Sequence, residues 1–369
     1  MKIIHCADLH LDARMTSNLT KEKARERQAE LLNTFQEMMR YAEQNNVDAI
    51  IIAGDLYDTK NISAAARNTV WDAIVNHPDI VFYYLKGNHD AESFLGSIEE
   101  IPDNLMLFGD SWTTYIADEK GAGNIAVTGL ELNRDNRESA YNELSLNVEK
   151  FNIVVLHGQE TEHDSKDGAE TIALRKLRNK GIDYLALGHI HSYKQSELDS
   201  RGKYCYPGCL EGRGFDECGE HGFVLLEIDQ ETGSFRTEFV PIASRNLYTM
   251  EVDISGCMST AEITRQLSSQ LDRAEYDAGS LLKIVLKGKV DVECEKNIEL
   301  LQKQFEPKFY FLKIDDETKL DVDYGVFALD ESLKGEFVRT VWAAEELLEE
   351  EKMEIIRCGI QALSGEEIE

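Results

Sequence analysis

The chain has 369 residues, 42% of them apolar, and carries 39 basic against 69 acidic side chains for a formal charge of −30. That surplus excludes a phosphate-binding surface spread over the whole protein, because non-specific nucleic-acid affinity comes from Lys and Arg neutralising phosphates. An anionic substrate has to be held locally, where bound cations can invert the sign of an acidic site.

Residues 2–7 read as a first strand running into Asp8-Leu9-His10-Leu11-Asp12. Residues 21–46 contain no Gly or Pro and space Leu31, Phe35, Met38, Met39 and Ala42 at helical intervals, which predicts a long amphipathic helix. Ala49-Ile50-Ile51-Ile52-Ala53-Gly54-Asp55 reads as a buried parallel strand that delivers one carboxylate into a Gly turn. A helix over 63–75, N-capped by Ser63, and a strand over 81–85 complete a βαβαβ unit, the mark of a parallel sheet.

From about residue 104 the texture changes to short Gly-punctuated runs at 105–108, 113–116, 124–130, 152–156, 184–187, 203–206 and 222–228. Helical pattern returns only near 142–150 and 169–180. Two sheets packed face to face with helices outside are expected, the second more antiparallel and closed by a strand over 235–241. A boundary at 241–246 then divides a first domain, 1–243, from a small α/β unit, 244–324. That unit reads as strand 247–254, helix 259–274, strand 281–286, helix 294–304 and strand 309–314. The tail, 325–369, is helical and acidic. Its apolar residues, among them Phe337, Val341 and Trp342, either pack on their own domain or dock a partner.

No stretch approaches the roughly 20 apolar residues of a membrane span. The start, Met1-Lys2 followed at once by strand, leaves no room for a signal peptide. The seven cysteines lie singly apart from Cys205, Cys209 and Cys218, which suits a reducing compartment. A cytoplasmic protein is expected.

Five strand-like runs end in ligand types, and in an open α/β sheet ligands bind outside the carboxyl ends of the strands. The tips therefore point to one centre. Asp8, His10, Asp55, Asn88, His157, His189 and His191 supply carboxylate or amide oxygens and imidazoles, about the set that two divalent ions need once water and substrate take the open positions. A donor set without thiolate favours Mn²⁺, Fe or Zn²⁺ over Mg²⁺ or Ca²⁺. His5 reads as a buried structural residue, and His163 and His221 as exposed or structural ones.

Asp8-x-His10, Gly54-Asp55, Gly87-Asn88-His89-Asp90, His157 after a strand and Gly188-His189-x-His191 stand in the order and approximate spacing of the calcineurin-like metallophosphoesterases, which the chain resembles. Within that superfamily, residues 1–320 resemble the SbcD-type nuclease subunits of double-strand-break repair. The likeness rests on His5-Cys6-Ala7-Asp8-Leu9-His10, on Gly54-Asp55-Leu56-Tyr57-Asp58, and on Tyr206-Pro207-Gly208 followed by Glu211, Phe215 and Gly219. The short tail is similar to the bacterial YhaO-like branch. A zinc site drawn from Cys205, Cys209, Cys218 and His221 is set aside, because the same stretch matches the family's Tyr-Pro-Gly loop.

The resemblance implies a four-layer αββα sandwich with a small α/β capping domain and a helical C-terminal tail. It implies two divalent ions, Mn²⁺ ahead of Fe or Zn²⁺: one on Asp8, His10, Asp55 and His191, the other on Asp55, Asn88, His157 and His189. A metal-bound hydroxide would attack DNA phosphodiesters in a 3′→5′ exonuclease and single-strand endonuclease reaction. His89 would protonate the leaving oxygen, with Asp90 orienting its ring. Some family members carry a His three residues after the bridging Asp, where this chain has Asp58. A homodimer and a coiled-coil ATPase partner of the SbcC or YhaN kind, acting at the nucleoid, are further implications. The alternatives are a hydrolase of cyclic nucleotides or other small phosphoesters on the same core, and a non-catalytic scaffold, which usually lacks ligands that are all present here.

Overall fold

Helix α1 (Lys21–Gln44) begins at Thr20, whose hydroxyl accepts from the Lys23 N–H, and buries the stripe Leu31, Phe35, Met38, Met39 and Ala42. Helix α2 (Ala64–Asn76) begins in the same way at Ser63 and buries Ala66, Val70 and Ile74. In this computed structural model the described residues are 1–15, 19–58, 62–90, 100–117, 123–162, 171–291, 294–321 and 329–364. The chain divides into two units, Met1–Leu247 and Tyr248–Glu369. No helix among the described residues is long and apolar enough to cross a membrane.

The strands of the first unit are, in chain order, β1 (Lys2–Cys6), β2 (Ala49–Ala53), β3 (Val81–Leu85), β4 (Leu105–Leu107), β5 (Thr113–Ile116), β6 (Ile125–Gly129), β7 (Phe151–His157), β8 (Gln159–Thr161), β9 (Thr171–Ala173), β10 (Tyr184–Gly188), β11 (Lys194–Glu197), β12 (Lys203–Tyr206), β13 (Gly222–Ile228) and β14 (Phe235–Pro241). One sheet has the order β14-β13-β1-β2-β3-β4 and the other β11-β12-β10-β7-β6-β5. Ile3, Ile51 and Tyr83 from the first sheet and Val127, Ile153 and Ala186 from the second meet in a shared core between the sheets. Ile4, Ile50 and Phe82 face outward onto Phe35, Met38 and Val70 of the helices. On the far side, Val154, Leu185 and Leu187 pack under Tyr141, Leu174 and Leu177. This is the expected sandwich of two sheets flanked by helices.

Two details differ from the sequence reading. The second sheet is not the more antiparallel one: each sheet has a parallel core, β1 to β4 in one and β12-β10-β7-β6 in the other, with antiparallel strands β13 and β14 along one edge of the first and β11 and β5 at the two edges of the second. Strands β13 and β14 belong to the first sheet, beside β1, rather than closing the second. Strand β13 is buried on both faces, and a run without alternation does not reveal which sheet it joins.

The helices expected near 142–150 and 169–180 shrink to single turns, Ala140–Glu143 and Leu174–Leu177. In the first case the Asn147 side chain accepts from the Glu149 N–H at 3.0 Å, a local turn that competes with the helix. In the second, Asn179 turns left-handed at φ 61°, and its N–H goes to the Asp199 carboxylate. His163 lies outside the described residues.

The second unit holds a three-stranded sheet formed by Leu247–Asp253, Leu281–Lys287 and Phe311–Asp316, with helices Thr260–Ala274 and Ile298–Phe305. Val252, Ile263, Leu267, Ile284, Leu301 and Phe305 are in its core. Toward the C-terminus, helices Leu333–Trp342 and Glu349–Ser364 close on a small cluster of their own: Val338, Val341, Ile356 and Ile360 with Phe337 and Met353. Phe337 and Val341 therefore face into the hairpin, while Trp342, Leu348 and Ile355 are exposed.

Candidate metal centre

The loops after β1 and β2 run side by side: the Asp8 N–H donates to the Gly54 carbonyl at 3.1 Å and the His10 N–H to the Asp55 carbonyl at 3.0 Å. Asp8, His10, Asp55 and His189 all sit at positive φ (52°, 44°, 49° and 106°). They are four of the eight non-Gly residues in that region among those described, so backbone strain is concentrated where the strand tips meet. Gly87 is required for a steric reason: a Cβ there would lie 2.1 Å from Asp55 Oδ1.

The two sheets are tied together at these tips. Both Asp8 carboxylate oxygens lie 2.9 Å from the His189 N–H at the end of β10. The Asp55 carboxylate accepts from the His89 N–H at 2.9 Å. His157, ending β7, donates from Nδ1 to the Ala53 carbonyl at 2.9 Å, which turns Nε2 toward Asn88 Oδ1 at 3.0 Å and Asp55 Oδ2 at 3.4 Å. A ring nitrogen whose lone pair faces two oxygens is satisfied only by a proton or a metal ion between them. His10 makes the same point on the other side. Its ring is 1% exposed, its Nε2 has no hydrogen-bond partner 3.9 Å from Asp55 Oδ2, and the His191 ring stands edge-on at 5.1 Å. A buried unpartnered nitrogen is costly, and a cation among these donors removes the cost.

Donor atoms of Asp8, His10 and His191 lie within 4.8 Å of one another, as do those of Asp8, Asp55 and His157. Asp8 is common to both groups, and Asp55 reaches histidines of both, so two carboxylates stand between the two sets of imidazoles. His189 stands beside this set, its ring edge-on to His157 at 5.4 Å. Burial, together with the Asp55 charge, pushes the Asp8 carboxyl up to about 6. Burial would also raise Asp55, but the hydrogen bond and charge of His157, with the His89 N–H and His10, outweigh it and hold that carboxyl at about 2. Against its own burial, His157 is raised to about 9 by Asp55 and Asp8. The donor set is thus a mixed N/O cluster built around two carboxylates, and the residues present fit a pair of divalent ions.

Asp90 is taken up by backbone donors. Its carboxylate accepts from the N–H groups of Leu56, Tyr57 and Gly87 at 3.2, 2.8 and 3.0 Å and so fixes the loops that carry Asp55 and Asn88. The carboxylate beside the half-exposed His89 ring is Asp58, 3.9 Å from Nδ1. His5 is fully buried on Tyr184 at 2.9 Å, and burial pushes it down to about 3. His221 is buried against Cys209 and the Glu217 carbonyl, Cys205 is buried, and Cys218 is exposed. Sequence reasoning missed Arg213 and Glu217, which hold His191 from behind; their only signal was an i, i+4 charge pair just after the Tyr-Pro-Gly turn. Glu211, part of that same motif, proves to be the buried partner of Arg27.

The calcineurin-like phosphoesterase family model matches residues 1–193, and the matched segment carries all of these tips. The chain belongs to the calcineurin-like phosphoesterases. Among curated proteins it is 25% identical to the uncharacterized metallophosphoesterase YhaO of Bacillus subtilis, over 86% of this chain and 82% of that one. It is 24% identical to the DNA double-strand break repair protein Mre11 of Methanopyrus kandleri, over 80% and 67% of the two chains. It is also 24% identical to the SbcD subunit of the Bacillus subtilis nuclease SbcCD, over 64% and 68%. As a member of this family it is a phosphoester hydrolase by descent, with candidate ligands for metal at its strand tips.

Proposed function

We propose that this phosphoesterase cleaves DNA phosphodiesters, as a 3′→5′ exonuclease and single-strand endonuclease of an SbcC–SbcD-like repair complex. The observation that carries the reading is the convergence of carboxylate and imidazole donors from two sheets on one buried spot. Relatives that span most of the chain and are named for DNA double-strand break repair support DNA as the substrate.

In this reading Asp8, His10, Asp55 and His191 hold one ion and Asp55, Asn88, His157 and His189 the other, with Mn²⁺ the best fit and Fe or Zn²⁺ next. Bound there, divalent ions supply Lewis-acid stabilisation of phosphoryl charge and lower the pKa of water. His157 is locked by the Ala53 carbonyl into the tautomer that presents Nε2. His89 projects from the Asn88 loop with its ring half in solvent, where it protonates the departing oxygen. Asp58 adds a negative charge 3.9 Å from that ring without hydrogen-bonding it.

A coiled-coil ATPase of the SbcC or YhaN kind docks the C-terminal segment, 325–369, and supplies the DNA clamp that a chain at −30 lacks. Action in the cytoplasm at the nucleoid, and as a homodimer, completes the reading. The acidity favours a second reading, hydrolysis of a small phosphodiester. The test offers the purified protein with Mn²⁺ labelled linear duplex, single-stranded DNA and bis-p-nitrophenyl phosphate side by side. Turnover of the last alone would reject the nuclease reading.

A further inference from the structure

The two sets of imidazoles are held in different ways. His157 leans on a main-chain carbonyl, which no side-chain change can remove. His10 and His191 lean on ionised side chains instead. His191 Nδ1 is 2.6 Å from Glu217 Oε1, and His10 Nδ1 makes a charge contact with Asp58 Oδ1 at 3.1 Å. Arg213 links these two carboxylates. Its Nη2 donates to Glu217 Oε1 at 2.8 Å, its backbone N–H to Glu217 Oε2 at 2.7 Å, and its Nη1 to Asp58 Oδ1 at 3.3 Å. The Glu217 side chain is 8% exposed and those of Arg213 and Asp58 are 21% and 28% exposed, so the bridge is partly desolvated.

We propose that Asp58, Arg213 and Glu217 form one positioning unit that presents His10 and His191 to a single ion, and that the affinity of that ion alone is set by this unit. The proposal rests on reading the centre as a two-ion site. A carboxylate behind an imidazole fixes which nitrogen carries the proton and raises the basicity of the other, and loss of such a partner typically weakens metal affinity 10–100-fold. Glu217 does this for His191: the ring's Nδ1 also stands 2.9 Å from Arg213 Nη2, and the carboxylate at 2.6 Å is taken as the partner that receives the Nδ1 proton. Asp58 places its charge behind His10. The guanidinium keeps both carboxylates turned to the histidines and prevents either from becoming a ligand itself. Asp58 is thereby committed to His10 and Arg213, and in this chain the position three residues after Asp55 serves the ligands rather than the substrate.

The test is Mn²⁺ titration of the metal-free, full-length protein, followed by the electron paramagnetic resonance of free Mn²⁺, in wild type, Asp58→Asn, Glu217→Gln, the double variant and Arg213→Lys. Wild type should bind two ions. Each single carboxylate variant should weaken one ion by about 10–100-fold and leave the other within about twofold. The double variant should cost less than the product of the singles, because both act through Arg213 on the same ion. Thermal melting of the metal-free proteins identifies any variant that fails to fold. Arg213→Lys keeps the charge, loses the fork, and should reproduce the selective loss more weakly. If wild type binds two ions and the variants weaken both equally, or neither, the positioning unit is refuted alone. If wild type binds none, the two-ion reading falls and takes this inference with it.

Discussion

The Asp8 carboxylate accepts the backbone N–H of His189 with both oxygens at 2.9 Å, across 181 residues of sequence. One bond thereby joins the tip of a strand in the first sheet to the tip of a strand in the second. It also aims the carboxylate that both donor groups share. The centre is a product of how two sheets dock, not of any one loop.

Asp55→Asn tests the sharing. Asp55 Oδ2 lies 3.9 Å from His10 Nε2 and 3.4 Å from His157 Nε2, so one lost charge is felt by both groups of donors. Metal analysis of the purified variant should find both ions weakened together. Retention of one at wild-type affinity would rule out Asp55 as a bridge.

His89→Ala should bind metal as wild type does and lose turnover of an unactivated DNA phosphodiester by roughly 10²–10⁴-fold, the range general acids supply. The loss should shrink on bis-p-nitrophenyl phosphate, whose leaving group needs little protonation. Equal losses on both substrates would point to a role in binding.

Arg27 is 1% exposed and donates to Glu211 at 3.1 Å and to the Gly212 carbonyl at 2.8 Å, while Glu211 also takes the Thr34 hydroxyl and the Ser244 N–H. Arg27→Met removes the cation and leaves the Glu211 carboxylate buried. Urea unfolding of the metal-free protein should register a loss of about 3–5 kcal/mol. A loss under about 1 kcal/mol would mean that Glu211 finds water or another donor.

Deleting 326–369 should leave bis-p-nitrophenyl phosphate turnover intact, because the buried cluster of the hairpin is built from its own residues. Co-purification with the proposed ATPase partner should disappear. A truncated protein that aggregates or loses small-substrate turnover would make the hairpin structural.

Much of the centre is legible in the sequence, for physical reasons. Asp8, Asp55 and His157 each follow a run of buried apolar residues, and the order of the tips is read directly once a parallel sheet is assumed. What holds the tips is not legible. The partner of His157 is a main-chain carbonyl, and those of His10 and His191 come from Asp58 and from a loop after residue 206 whose path depends on the tertiary fold. Asp90 follows His89 in sequence, which suggests a partner for its ring, yet the carboxylate turns to three backbone N–H groups. Sheet membership of β13 is equally hidden, since a doubly buried strand has no polar side.

The cross-sheet seam has a consequence for the order of events in folding. The Asp8 and Asp55 side of the centre is synthesised long before His157, His189 and His191, so a growing chain offers metal only half a cradle until both sheets are complete. Binding is then linked to closure of the sandwich, and an ion at a free concentration 100 times its Kd would add about 2.7 kcal/mol to the closed form. A metal bound there would act as a clasp fastened last, and chelation should then loosen the seam between the sheets before either sheet comes apart.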